Sequence, residues 1–312
     1  MERPLREEDI LVGGQAVIEG VMMRTPHAYA VAVRRPDGSV AIQKDVVPSL
    51  TKRFPFLKLP LLRGVATLVQ ALALGIRTLN YSASVAMDES PVESPQPKKK
   101  DATSLALLGS MLAALAFGVA IFILAPLYLT RWTAAYVPAL ESWVLFNLVD
   151  GFFRVLFFIL YIVFISRMKD IQRVFQYHGA EHKVVFNREA AEELTVENSR
   201  KQSRFHPRCG TSFLLFVMVV SIIVFSIFKL QGFLWIAVSR VFLIPLIAGI
   251  SYEIIRFSAR HADRTWLRVV IQPGLWLQRL TTREPSDDQI EVAITALKEA
   301  LQVEESAVAA AA

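Results

Sequence analysis

Tyr177–Ser212 reads YHGAEHKVVFNREAAEELTVENSRKQSRFHPRCGTS. This stretch holds three of the five histidines, the single cysteine, and two acids in polar settings, Glu181 and Glu197. Apolar runs long enough to be membrane spans flank it on both sides. A polar, histidine-rich loop between hydrophobic spans makes the fold a mainly α, polytopic membrane protein. The first half of the stretch has the form His178-x-x-Glu181-His182. Residues four apart on a helix share a face, so both imidazoles can grip one ion from the same side. The order matches the inverted zincin pattern, in which the Glu beside the second His is the general base. The second half offers His206 and Cys209, with Arg208 between them. His178, His182, His206 and Cys209 make a donor set suited to Zn²⁺ or another divalent metal. The same side chains also fit a hydrogen-bonded His/Arg cluster, and Gly179 weakens the helix on which the shared face depends.

Composition narrows the class. The 312 residues are 54% hydrophobic, with a mean hydropathy of +0.41, too apolar for an ordinary soluble chain of this length. One cysteine excludes an intramolecular disulfide framework and fits a reducing, cytosol-facing position. The net charge of +6 comes from basic residues beside apolar runs, the pattern of membrane topology and anionic lipid. No nucleic-acid partner is expected. The opening MERPLREEDI has no apolar h-region, so no cleaved signal peptide is expected.

Moving outward, residues 1–56 read as a soluble module. Tyr29–Arg34 and Val40–Lys44 alternate as strands around Pro36-Asp37-Gly38, which predicts a β-hairpin. Glu19, between apolar neighbours, is a candidate carboxylate or the partner of an arginine such as Arg24. Residues 57–83 are apolar, but the uncharged core between Arg63 and Arg77 is short of the roughly 20 residues a span needs. They read as an amphipathic helix at the interface. Residues 84–104, rich in Pro, Ser and charge, read as a flexible linker.

Residues 105–257 read as a four-span bundle with spans at Leu105–Leu129, Trp143–Ser166, Thr211–Leu230 and Phe233–Phe257. The loop at residues 167–210 lies between the second and third. Lys98, Lys99 and Lys100 precede the first span and only Arg131 follows it. The loop carries a dense set of basic residues, and Arg256, Arg260, Arg264 and Arg268 end the bundle. The positive-inside rule then places both termini and the loop in the cytoplasm of a bacterial inner membrane. In span two, Asp150 and Arg154 are four apart and pair on one face, as a functional lead or as a lock between helices. Glu253, near the cytosolic end of span four, is a further carboxylate for the histidine site. Residues 258–312 form a cytosolic tail. Within it Thr265–Leu280 is interfacial and broken at Pro273-Gly274, and a helix follows with Ser286 and Gln289 as its capping box.

Several of these stretches together resemble the YqhQ-type bacterial membrane proteins, a domain family of unknown function often labelled as predicted metal-dependent enzymes. They are GGQAVIEGVMMR at 13–24, LRGVATLVQALALGIRTLNYSA at 62–83, YHGAEHK at 177–183, LTVEN at 194–198, FHPRCGTSF at 205–213 and PGLWLQRLTTREP at 273–285. The resemblance implies a polytopic inner-membrane protein. Two functions fit the residues. One is a cytosol-facing zinc hydrolase using Glu181 as base. The other is a non-enzymatic scaffold that binds another membrane complex, such as protein insertion or export machinery, through Arg-, Gly- and aromatic-rich surfaces.

The chain from the second span to the histidines carries a geometric requirement. A straight helix would lift His178 and His182 roughly 20 Å above the membrane at about 1.5 Å per residue. Cys209, by contrast, starts the next span. The chain must therefore bend between Arg167 and Tyr177, with Arg167, Lys169 and Arg173 expected at the headgroups.

Overall fold

Strand-forming sequence comes first in the chain. A computed structural model describes residues 11–47, 54–87, 102–207, 209–228, 232–260 and 265–310. Four strands, β1 (Gly13–Val17), β2 (Gly20–Arg24), β3 (Ala28–Arg34) and β4 (Val40–Val46), form an antiparallel meander in sequence order. The expected hairpin is its second half, closed at Gly38 with φ 87° and by Asp37, whose Oδ1 accepts from the Ser39 amide at 2.8 Å. The GGQAVIEGVMMR stretch supplies the other two strands, in the register Gly13↔Arg24.

Both faces of this sheet are covered, and β3 shows why by its period of two. Tyr29, Val31 and Val33 face one core with Leu74, Tyr81 and Val85 of α1 (Leu62–Ala86). Ala30 and Ala32 face the other core, with Tyr177, Ala180 and Val184 of α5 (Lys169–Glu189) and Ala293, Ala296 and Leu297 of α11 (Asp287–Ala309). Alanines on both sides let helix and sheet approach closely. The first strands, the central helix and the last helix therefore share one core, so the N-terminal module does not stand apart from the rest. The expected capping box starts α11: the Gln289 side chain accepts from the Ser286 amide at 3.0 Å, and the reciprocal bond is present.

Glu304 fastens the far end of α11. Its buried carboxylate accepts from Thr25 Oγ1 at 2.7 Å, the His27 amide at 2.8 Å and His27 Nδ1 at 2.8 Å. Burial acts to raise this carboxyl, and the donors overcome it, holding the group below the usual carboxylate range. Glu304→Ala would strand those donors and is expected to cost about 3 kcal/mol in thermal or denaturant unfolding. Because the folded carboxyl titrates below its unfolded value, its stabilisation is complete above about pH 4.3. It is lost as the pH falls through the depressed folded value. The gap between wild type and variant should therefore close in acid.

The remaining helices are α2 (Ala102–Val119), α3 (Ala125–Ala134), α4 (Trp143–Ile165), α6 (Val196–Lys201), α7 (Gly210–Ile227), α8 (Phe233–Phe242), α9 (Ile244–Arg260) and α10 (Thr265–Thr281). A π-helical turn at Ala120–Leu124 joins α2 to α3 just before Pro126, which lacks a backbone donor. Among the described residues, three helices are long and apolar enough to cross a membrane: Leu62–Ala86, Leu112–Ala134 and Trp143–Ile165. A fourth span arises if Phe233–Phe242 and Ile244–Ile254, bent by 46°, are counted as one.

Three expectations need correction, and one helix is placed more fully. The fourth apolar run is not one straight helix but breaks at Leu243, next to Pro245, which cannot donate to the preceding turn. The third is short: the 18 residues of α7 reach about 27 Å at 1.5 Å each. Within the stretch expected at the interface, Leu62–Ala86 is long and apolar enough to cross a membrane, and from Leu74 onward α1 lies on the sheet. Finally, α10 runs through Pro273 without the expected interruption. Of the expected linker, residues 88–101 lie outside the described residues.

Candidate metal centre

The chain leaves α4 at Ser166, turns through Met168 and re-enters helix at Lys169. The turn thus comes just before the histidines. Arg173, half-exposed, makes a bidentate pair with Glu19, its Nη2 donating to Oε2 at 2.6 Å. Glu19, held at φ 53° in the β1–β2 turn, is therefore the partner of Arg173 and not of Arg24. Tyr177 contacts the same carboxylate at 3.4 Å, and burial with that negative charge pushes its phenol up to about 12.

Next along α5, His178 and His182 meet edge-to-face with ring centroids 4.4 Å apart. Each has its Nδ1 against a backbone carbonyl: His178 at 2.8 Å from Thr281 O, His182 at 2.6 Å from Arg204 O. A carbonyl only accepts, so each Nδ1 carries the proton and each Nε2 presents a lone pair. His178 Nε2 lies 3.2 Å from Cys209 Sγ. His182 Nε2 is buried and has no hydrogen-bond partner. Donor atoms of His178, His182 and Cys209 all fall within 4.8 Å of one another.

Residues distant in sequence hold this geometry. Thr281 ends α10, and the following segment crosses α5 with the Arg283 amide donating to Phe175 O at 2.8 Å. Arg204 is carried by a loop that Lys183 anchors: its buried ammonium donates to Arg200 O and Gln202 O, both at 2.9 Å, and pairs with Glu284 at 2.7 Å. Gln278 clamps His206 by its backbone, accepting its N–H at 2.8 Å and donating to its carbonyl at 2.7 Å. Lys183 and Gln278 were not singled out in the sequence, where nothing marks a side chain that binds another residue's backbone.

His206 sits beside the trio without joining it. Its ring is 5.7 Å from that of His182, and its Nε2 lies 3.2 Å from Glu189 Oε1. Glu181 faces the centre: buried, with Oε2 3.5 Å from His182 Nε2. Burial raises its carboxyl above the usual range, against the opposing pull of His178, His206 and the Gly14 amide. These groups, with Gly14 and Gln15 of β1, line a cavity of about 580 Å³.

The other candidates lie elsewhere. Glu253 does not reach the histidines; it pairs with Arg63 of α1, whose Nε donates at 2.6 Å. Glu197 is exposed and pairs with Lys201 at 3.0 Å. Asp150 and Arg154 pair at 2.9 Å inside the helical half. Arg208 lies outside the described residues.

Fold and site together define a mainly helical protein with three or four apolar helices fit to span a membrane. A half-buried histidine–cysteine cluster sits where its small sheet meets the polar helix α5. The chain belongs to the family described as "Protein of unknown function (DUF1385)", which it matches over residues 59–303. It is 38% identical over 298 residues to "Uncharacterized protein YqhQ" of Bacillus subtilis (strain 168), covering 94% of this chain and 92% of that protein. No solved structure matches.

Proposed function

We propose that the chain is an integral protein of the bacterial cytoplasmic membrane whose His178, His182 and Cys209 hold a divalent metal, Zn²⁺ first. The sheet, α5 and both termini would lie on the cytoplasmic side. The observation that carries the metal reading is the pair of imidazoles tied by Nδ1 to backbone carbonyls. That is the outer-shell arrangement which fixes ligand tautomers and turns both Nε2 atoms inward. Ligands on one tetrahedral zinc lie about 3.3–3.8 Å apart, close to the 3.2 Å between His178 Nε2 and Cys209 Sγ. With His206 on Glu189, three protein ligands leave a position open, the mark of a catalytic site and not a structural one.

Metal-dependent hydrolysis is the chemistry this set supports. A metal held here supplies Lewis-acid activation of water. Glu181, held by Gly14 in the cavity wall, is placed to take a proton from water and pass it on. The lysine and glutamine clamps keep the loop ligand side in register. The Lys/Arg asymmetry around the apolar runs supports the orientation.

Metal analysis of the detergent-purified protein tests this. Wild type should carry about one zinc per chain. His182→Ala and Cys209→Ser should each lose most of it, and Glu181→Gln should keep it. Wild type without metal, or variants that retain it fully, overturn the reading.

A further inference from the structure

The helical half contains a second polar cluster that the metal centre does not use. Asp150 and Arg154 of α4 meet Arg240 of α8, each buried. Asp150 Oδ2 lies 2.9 Å from Arg154 and 3.2 Å from Arg240, and Arg240 also donates to Asn147 Oδ1 at 2.7 Å. Both guanidiniums lie over the ring of Phe225, at 4.8 Å and 3.9 Å. Two cations thus share one carboxylate. The Nε of Arg154 and the Nε of Arg240 are buried without a hydrogen-bond partner.

These guanidiniums border a cavity of about 480 Å³, inside the roughly 300–1,000 Å³ range of small-molecule sites. Asp150 does not line it, so the charge it presents is positive. The rest of the wall is apolar, with Phe122, Phe158, Phe213 and Val217 among its residues, apart from the hydroxyl-bearing Ser221 and Tyr161. Buried excess charge at membrane depth is costly unless an opposite charge meets it. The wall offers a ligand two cationic forks at one end, almost no polar group elsewhere, and hence no recognition for a sugar or nucleotide.

We propose that this cavity binds an anionic amphiphile, with a carboxylate or phosphate on Arg154 and Arg240 and an alkyl chain along Phe122, Phe158 and Phe213. The pair of guanidiniums at the cavity end recognises the anion by charge-assisted bonds. Phe225, under both guanidiniums, fixes their spacing. The proposal does not depend on the metal centre.

The test uses the full chain in phosphatidylcholine nanodiscs, with spin-labelled stearate, phosphatidylglycerol and phosphatidylcholine as separate probes. Wild type should immobilise one of the two anionic probes at least tenfold more tightly than the phosphatidylcholine probe. Preference for stearate assigns the carboxylate, and preference for phosphatidylglycerol the phosphate. Arg240→Gln should remove the preference. Val217→Trp, which leaves every charge in place and fills the cavity, should remove immobilisation in a protein that still unfolds cooperatively. Folded wild type that holds neither anion above phosphatidylcholine overturns the proposal, as does a folded Val217→Trp variant that binds like wild type.

Discussion

Asp150→Ala should cost about 3–5 kcal/mol, the largest loss from any single substitution in the helical half. Among the described residues, the carboxylate is the one counter-charge for Arg154 and Arg240 in their shared cluster. Removing it leaves two guanidiniums buried side by side, each desolvated and each repelling the other. The arginines are not equivalent to it. Arg154→Met keeps a chain of similar length over Phe225 and leaves Asp150 paired with Arg240, which still holds Asn147. That variant should stay within about 1.5 kcal/mol of wild type. Unfolding in mild detergent, followed by circular dichroism against added SDS, measures both. Equal losses for the two variants would show that total packing, and not charge balance, decides stability here.

That cluster also shows what can be read from the residues and what cannot. The Asp150–Arg154 contact follows from an i,i+4 spacing inside one helix, so it is visible in the chain. Arg240 is not, because its approach depends on how α8 crosses α4 and on the break beside Pro245 that sets the angle. The histidine site divides the same way. His178, Glu181 and His182 are linked by helical periodicity, and Cys209 by its donor chemistry. What orients them is Thr281 O and Arg204 O, and a backbone carbonyl is the same atom in every residue. The β3–β4 hairpin is legible from its alternation and its Pro-Asp-Gly turn. The strands β1 and β2 are harder to read, because β2 is buried on both sides and so reads as the unbroken apolar run Val21-Met22-Met23. The pairing of Glu19 with Arg173 was missed for a related reason. Arg24 is near in sequence, whereas Arg173 arrives only because α5 passes the β1–β2 turn.

Gly179→Ala should reverse the sign that helix propensity assigns to it. In the middle of an exposed helix, alanine would be better than glycine by about 1 kcal/mol. Here a Cβ at position 179 would be driven into the carbonyl oxygen of Arg283, with its carbonyl carbon 3.3 Å away and Pro285 Cδ at 3.4 Å. The obstacle is backbone, so no rotamer change relieves it, and a loss of about 3 kcal/mol is expected. The consequence reaches the site without touching a ligand. The segment displaced is the one that carries Thr281, whose carbonyl holds His178 Nδ1 at 2.8 Å, and Thr282, whose carbonyl takes Arg204 Nη1 at 3.0 Å. Arg204 in turn presents the carbonyl that holds His182. Both imidazoles would lose their fixed tautomer and tilt, and outer-shell losses of this kind weaken metal binding by about 10–100-fold. Zinc competition with a fluorescent chelator and thermal unfolding, run on the same preparations, check the two effects. A Gly179→Ala protein as stable as wild type would mean that the 281–285 segment does not press on α5. A destabilised protein with undiminished zinc affinity would separate the packing of that segment from the orientation of the histidines.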